Sequence, residues 1–342
     1  MSGRTILVTG GTGVIGAWAV REIAEAGDTP VILTRGSTGV GRAILGEHAD
    51  KLVQVHADLT NPLALADAVH RYRPTVIAHL ASAKPWQMDA GYVAHLDPAL
   101  GVRTIIDGTT NILEIARTFG VHRVVYASSK SAYAPFTGPH GAPDYRPVRE
   151  DYRREPTEIY GITKLAAEQL GDYYREHLGV DVIALRFAST YGPFKRGAGT
   201  APAGLIANAI DGVATRANFG RRAYTEQLDE FVYNRDVGRA IRLACTVEST
   251  TDSVFNIGTG IGSSVRDVVE AIRAVPEVTA PEITVEPDSP ANARAHLVQS
   301  HAGVLDGSAA AAQLGFTAAY DLVAGIRDAA EVVRAARTEV PA

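Results

Sequence analysis

A parallel sheet wound on both faces by helices, followed by a smaller mixed α/β unit, is the fold class this sequence predicts. Three observations carry the prediction. Short β-branched runs alternate with longer segments of helical period through the first half of the chain, the mark of βαβ units. The runs are apolar throughout rather than alternating, as strands covered by helices on both sides must be. A glycine-rich turn leads from the first run into the first helical segment.

The elements follow in order. "TILVTG", "VILTRG", "LVQVHADL", "TVIAHLAS", "RVVYASS" and "DVIALRFAS" are the strand runs. Between them lie "VIGAWAVREIAEAG", "PLALADAVHRYR", "TTNILEIARTFG" and "EIYGITKLAAEQLGDYYREHLG", with apolar residues at helical spacing and a closing Gly on the first, third and fourth. Residues 134–157 form a long polar insertion, and loops of that length are usually functional or disordered. After Ser189 the texture turns rich in Gly and Pro, and the elements beyond are shorter and mixed. A first domain over 1–189, with elements returning to it from about 230–258, and a mainly substrate-binding domain over 190–342 are therefore expected.

Composition narrows the partners. A length of 342 residues is enough for a substantial core. The formal charge of −5, without a run of like charges, leaves no basic face for nucleic acid or anionic lipid. No stretch has the apolar length of a membrane helix, and the start lacks the pattern of a signal peptide, so a cytoplasmic location is expected. Cys245 is the single cysteine and reads as a small core hydrophobe, which rules out an intrachain disulfide or Cys-rich metal site. His56 has no partner at metal spacing and His79 ends a buried run, so no metal is expected.

The turn "TGGTGVIG" places Gly10, Gly13 and Gly16 at three-residue intervals, with Val14 and Ile15 completing the entry to the helix. Glycines let the backbone turn sharply and approach a pyrophosphate, whose charge a helix N-terminus favours. The turn differs from G-x-G-x-x-G by one residue; the strand before it and the helix after it favour a Rossmann dinucleotide site over the bland reading of a structural turn. At the end of the second strand, where an acidic residue normally takes the ribose hydroxyls of NAD, the chain has Thr34 and Arg35. A guanidinium suits a 2′-phosphate, so NADP is the preferred cofactor here and NAD the alternative. Arg35 stacking on adenine or facing solvent is the bland reading. Asp58, with Leu59 in "HADL", is either an adenine contact or a helix N-terminal acid.

Two stretches read Tyr-x-x-x-Lys: "YASSK" from Tyr126 to Lys130 and "YGITK" from Tyr160 to Lys164. On a strand, an offset of four separates the ends by about 13 Å. On a helix it brings Cβ atoms to about 6 Å. Only Tyr160 and Lys164, at the start of a helical segment, can cooperate directly, and Tyr126 and Lys130 read as a coincidence of spacing. Lowering a phenol by about three pKa units takes about 4 kcal/mol, to which an adjacent ammonium contributes. Lys164 would also donate to the nicotinamide ribose hydroxyls. The hydroxyls of "VVYASSKSAY" would project from the carboxyl end of the fifth strand, where Ser128 and Ser129 compete to hold a substrate oxygen.

In order, "TGGTGVIG", "HLAS", "GTTNILEIA", "VVYASS", "YGITK", "LRFASTYGP", "FVYNRDVGRAI" and "FNIGTG" resemble the extended short-chain dehydrogenase/reductase superfamily, NAD-dependent epimerase/dehydratase group, up to about residue 330. The resemblance implies Ser129, Tyr160 and Lys164 as a catalytic triad, Ser129 being the serine four residues before Tyr133. It also implies Leu80 and Ala81 along the cofactor channel, Phe187 near the nicotinamide, and a homodimer. Substrate contacts are expected from Lys84, Ser129, Ser131 and Ser189, with Trp86 and Gln87 either lining the pocket or in an ordinary loop.

Three departures stand out. The Asn of the "NVxGT" pattern falls at Ile105, and the Asn of "RxFNVYGP" falls at Ser189. The Arg that grips a sugar nucleotide's diphosphate falls at Asp229, whose charge would repel one unless Arg294 or Arg221 compensates. The expected activity is therefore hydride transfer at a secondary alcohol or ketone of a small-molecule substrate. The alternatives are a nucleotide-sugar 4-epimerase or 4,6-dehydratase, and a non-catalytic NADP-binding sensor.

Overall fold

In the computed structural model, the described residues are 3–36, 39–82, 86–89, 92–95, 98–194, 202–213, 215–217, 227–278, 283–285 and 301–338. In chain order the strands of the first part are β1 (Thr5–Thr9), β2 (Thr29–Thr34), β3 (Val53–His56), β4 (Val76–His79), β5 (Trp86–Asp89), β6 (Tyr92–His95), β7 (Arg123–Ser129) and β8 (Asp181–Phe187). There follow β9 (Ser189–Tyr191), β10 (Thr215–Ala217), β11 (Asp229–Tyr233), β12 (Val254–Ile257), β13 (Gly262–Ser263) and β14 (Ile283–Val285). The helices are α1 (Gly16–Glu25), α2 (Gly39–Leu45), α3 (Pro62–Tyr72), α4 (Pro98–Gly101), α5 (Gly108–Phe119) and α6 (Ile159–His177). Later ones are α7 (Pro202–Asp211), α8 (Asn234–Thr246), α9 (Val265–Arg273), α10 (Ser308–Leu314) and α11 (Leu322–Thr338).

Seven strands form one sheet in the order β12-β8-β7-β4-β1-β2-β3. Every pairing in it is parallel. The alternation along β1 shows why its sequence is apolar at each position. Ile6 and Val8 pack with Trp18, Val20 and Ile23 of α1 and Val237 and Ile241 of α8 on one face. Leu7 packs with Leu65 and Val69 of α3 and Ile112 and Leu113 of α5 on the other. Each such side chain, fully buried, stabilises the fold by about 1.5–3 kcal/mol, so both helical layers are anchored through one strand.

Helix ends follow their sequence signals. Asn61 caps α3 by accepting from the Ala64 amide at 3.2 Å, with Pro62 in the first turn. Gly120 ends α5 in the left-handed region at φ 68°.

The order of the sheet fixes where ligands go. From β1 the chain winds outward through β2 and β3, then returns to β4 on the other side of β1. The crevice beyond the carboxyl ends of β1 and β4 is the topological switch point of the fold, where open α/β sheets bind their ligands.

Beyond Ser189, β9, β11 and β13 form a small mixed sheet, and β10 pairs with β14. Two local features depart from expectation. The stretch after β4 forms an antiparallel hairpin of β5 and β6. A π-helical segment, Val102–Asp107, links α4 to α5. The 134–157 insertion is ordered: Val148 bridges to Leu305, and Phe136, Tyr152, His140 and His301 stack edge-on.

Candidate active site

A cleft of about 570 Å³ lies at the switch point. Of the residues expected from the sequence, Gly10, Gly13, Arg35, Asp58, Leu59, Leu80 and Ala81 line it. Val14, Ile15 and Gly16, at the start of α1, are not among its lining residues, and neither are Phe187, Tyr160 or Lys164. Thr12, Thr34, Thr60, Ser82, Arg103 and Thr104 also line the cleft and were not singled out as contacts. Arg103 and Thr104 reach it from the π-helical segment, which no periodicity in the sequence announces.

The glycines earn their places sterically. Gly10 has φ 71°, and a Cβ there would stand 2.9 Å from the Ala81 backbone. A Cβ on Gly16 would meet the Gly10 carbonyl at 2.1 Å, so helix α1 starts directly against the turn. The result is a concave, side-chain-free backbone at a helix N-terminus, a shape and polarity that fit a pyrophosphate.

At one end of the cleft, the Asp58 carboxyl is held below the usual range by the Thr60 amide and hydroxyl, at 2.8 and 2.7 Å, and then by Arg35. Arg35 Nη1 lies 3.7 Å from Asp58 Oδ2.

The hydroxyl cluster sits at the carboxyl end of β7. Ser129 lies opposite Phe187 of β8 in the parallel register. Ser129 shares a hydrogen bond with the Tyr160 phenol, and its Oγ accepts from the Ser131 amide at 3.1 Å. Gly161 allows that approach: a Cβ there would clash with the Ser131 carbonyl at 2.1 Å. Ser128 points the other way, donating to Glu168 in the core. Geometry therefore brings Ser129, and not Ser128, to Tyr160.

Lys164 is buried, donates from Nζ to the Ala127 carbonyl at 2.6 Å, and stands 4.6 Å from the Tyr126 ring centre and 5.6 Å from that of Tyr160. Burial pulls its ammonium down to about 7, opposed by Glu168. Burial pushes the Tyr160 phenol up to about 12, opposed by the Ser129 hydrogen bond. This corrects the expectation of a phenol lowered by its lysine. With the ammonium bonded to a backbone carbonyl, desolvation of the ring dominates.

The second correction concerns Asp229 and Lys130. They form an ion pair and are both buried. Asp229 also accepts from Ser189 Oγ at 2.8 Å and from the Glu230 amide at 2.9 Å. The carboxylate expected to repel a diphosphate is thus neutralised by a lysine that the sequence reading set aside as coincidence. The pairing joins the turn that follows β7 to β11, a contact over 99 residues that no local pattern signals. Ile105, at another of the three departures, is buried against Tyr126 and Tyr160.

His79 is a packed histidine, bonded to Thr9 and Thr109 and pulled to about 3 by burial and then by Lys164. Tyr133 donates to Asn256 at 2.7 Å, Tyr191 to the Asp321 carbonyl at 3.2 Å, and Cys245 is buried. Lys84, Arg221 and Arg294 lie outside the described residues. Trp86 and Gln87 fall in β5.

Comparison with known proteins places this geometry. The NAD dependent epimerase/dehydratase family matches over residues 6–258. The chain belongs to that family. It is 28% identical over 330 residues to a UDP-glucose 4-epimerase of Mycolicibacterium smegmatis, covering 96% of this chain and 98% of that protein. To UDP-glucose 4-epimerase 2 of Oryza sativa subsp. japonica it is 29% identical over 293 residues, covering 78% of this chain and 68% of the relative. Among solved structures, MoeE5 in complex with UDP-glucuronic acid and NAD superposes with a TM-score of 0.74 at 27% identity, covering 96% of this chain and 99% of that one. Membership makes the chain an NAD-dependent enzyme with a Rossmann-like fold. The NADP preference expected from Arg35 finds no support among these relatives.

Proposed function

We propose that this enzyme is a nucleotide-sugar epimerase that uses NAD and works at a secondary alcohol of the sugar, with Ser129, Tyr160 and Lys164 as its reacting side chains. The observation that carries the reading is the Ser129–Tyr160 hydrogen bond, with Lys164 packed against the Tyr160 ring, at the carboxyl end of β7. The named epimerases, and the UDP-sugar and NAD in the MoeE5 complex, support the substrate class and the cofactor. Residues up to 189, with α8 and β12, would hold the cofactor, and the elements after 190 would form most of the substrate side.

NAD, when bound, supplies hydride acceptance and return. The glycine turn and the N-terminus of α1 would hold its pyrophosphate, and Thr34, Asp58 and Thr60 its adenosine end. NAD is favoured over NADP because Arg35 already lies beside the Asp58 carboxylate, whose charge would repel a 2′-phosphate. Ser129 would hold the sugar oxygen, and Tyr160 would pass its proton. At about 12, Tyr160 stands as a proton donor, suited to reprotonating a ketone oxygen. Acting as a base near neutrality requires about five units of lowering, about 7 kcal/mol, and Lys164 is the side chain placed to contribute. Phenol and ammonium therefore need a shift of the ammonium from Ala127 toward the site.

Neutralisation of Asp229 by Lys130 removes the main objection to a diphosphate substrate. A homodimer through α5 and α6 accords with the exposure of Phe119, Ile162 and Tyr173 on those helices.

The test is incubation with NAD and UDP-galactose. Formation of UDP-glucose without net NADH is expected, with Tyr160→Phe lowering the rate by about 10²–10⁴. Net NADH from a simple secondary alcohol, with UDP-hexoses untouched, would establish the plain dehydrogenase instead. An unimpaired Tyr160→Phe variant would refute the assignment of the proton donor.

A further inference from the structure

Behind the hydroxyl cluster lies a buried charge array that the proposed reaction does not use. Glu168 is on α6, one turn after Lys164 and two after Tyr160, so the three share one face of the helix. Its side chain is wholly buried, and that of Arg186 is 1% exposed. Arg186 grips the carboxylate with two donors, Nε at 3.0 Å and Nη2 at 2.6 Å. The Ser128 hydroxyl donates to the same carboxylate from β7. Arg186 is held in turn by the Glu150 carbonyl at 3.1 Å and stacks at 4.3 Å over the Tyr133 ring.

Sequence neighbours give the array its meaning. Ser128 precedes Ser129, Arg186 precedes Phe187, and Glu168 shares its helix with Tyr160 and Lys164. A single carboxylate thus joins all three elements from which the site is built. Side chains alternate along a strand, so the residue beside each site residue points into the core, where the tie is made. A buried ion pair is weak as a source of stability, because desolvation offsets its attraction. Its directional bonds, by contrast, define one register of α6 on the sheet and penalise others.

We propose that Glu168 is a positioning residue for the Ser129, Tyr160 and Lys164 site, acting through Ser128 and Arg186 to set the helix against the two strands. The inference rests on the assignment of those three residues under Proposed function.

The surroundings of Lys164 show how the same carboxylate also bears on its neighbour's charge. The groups facing it are His79 of β4, neutral in its buried place; Tyr126 of β7; Tyr160 and Glu168 of its own helix; and, beyond Glu168, Arg186 of β8. The π-helical segment presents Ile105 there, which is apolar. Glu168 is thus the one carboxylate among these neighbours, and it opposes the effect of burial on the ammonium. Glu168→Gln would keep the shape and remove the charge, leaving Arg186 as an uncompensated cation behind Lys164.

Two measurements on the full chain test this. NAD affinity as a function of pH, followed by protein fluorescence, needs no sugar substrate. In the parent it should weaken as pH rises and Lys164 loses its proton. In Glu168→Gln that fall should move to lower pH by about one unit, while Glu168→Asp keeps the parent's midpoint. Turnover of UDP-galactose should fall at least about tenfold in Glu168→Gln, chiefly in kcat, with partial recovery in Glu168→Asp. If Glu168→Gln does not fold, Ser128→Ala leaves the Arg186 pair intact and cuts the tie to β7. It should lower kcat about threefold to tenfold while the melting temperature falls by no more than about 4 °C.

Unmoved NAD midpoints in Glu168→Gln, or Ser128→Ala with the parent's kcat, would overturn the proposal. Should the parent leave UDP-galactose untouched while the NAD midpoint still moves, the epimerase reading fails and the role of Glu168 stands.

Discussion

Replacing Lys164 by Met should stabilise this protein at pH 6 while abolishing its proposed chemistry. In the fold, burial draws the ammonium from 10.5 to about 7. That difference corresponds to about 5 kcal/mol held against folding wherever the lysine is charged in both states. Methionine removes the cost and keeps most of the volume. It also forfeits the 2.6 Å bond to the Ala127 carbonyl, worth about 1.5–3 kcal/mol for a charged donor. The cation–π contact with Tyr126 is worth about 1 kcal/mol more. A net gain of about 1–3 kcal/mol remains below pH 7.

The pH dependence has a definite sign. Because the folded value lies below the unfolded one, the unfolded chain holds the extra proton between about 7 and 10.5. Stability of the parent therefore rises through that window by about 1.4 kcal/mol per unit relative to the variant. By pH 9 the parent has gained about 2.7 kcal/mol, so the advantage of the variant vanishes or reverses. Urea unfolding of both proteins without cofactor, at pH 6, 7, 8 and 9, reads this directly as a difference of free energies, in which other titrating groups cancel. A constant difference across the series would refute the depressed lysine. A variant less stable than the parent at pH 6 would refute the claim that desolvation outweighs the contacts.

Lys130→Met strands the Asp229 carboxylate in the core and should cost about 3–5 kcal/mol. With an unfolding entropy of about 0.7 kcal/mol/K for a chain of this length, that is about 4–7 °C in calorimetry, and adding Asp229→Asn should recover more than half. Arg35→Ala should leave NAD affinity within about threefold by titration calorimetry, since its guanidinium is largely exposed and faces the Asp58 carboxylate at 3.7 Å; a loss of tenfold or more would make Arg35 a cofactor contact. Gly10→Ala places a side chain at φ 71° and 2.9 Å from the Ala81 backbone, so NAD affinity should fall at least about a hundredfold, with about 1–3 kcal/mol of stability lost.

Much of this architecture is local and therefore legible in the chain. Apolar runs without alternation announced the inner parallel strands, because burial on both faces leaves no polar side, whereas the edge strand β3 alternates apolar and polar residues and is largely exposed. The six runs became β1, β2, β3, β4, β7 and β8. Glycine spacing announced the turn because a Cβ would crowd the Ala81 backbone at Gly10, where φ is 71°, and the Gly10 carbonyl at Gly16. Helical spacing singled out Tyr160 and Lys164 over Tyr126 and Lys130, for i and i+4 are neighbours only on a helix.

What the chain could not announce is charge pairing at a distance and the desolvation that goes with it. Lys130 meets Asp229, and Arg186 and Ser128 meet Glu168, only after tertiary folding has brought β7 and the turn after it, β8, β11 and α6 together. A residue's spelling says whether it can carry charge. Its partner and its depth decide whether that charge repels a ligand, holds a helix in register or is itself pushed toward neutrality. For Asp229 the partner answers the charge that the sequence shows, and for Tyr160 and Lys164 burial sets the direction of both acidities.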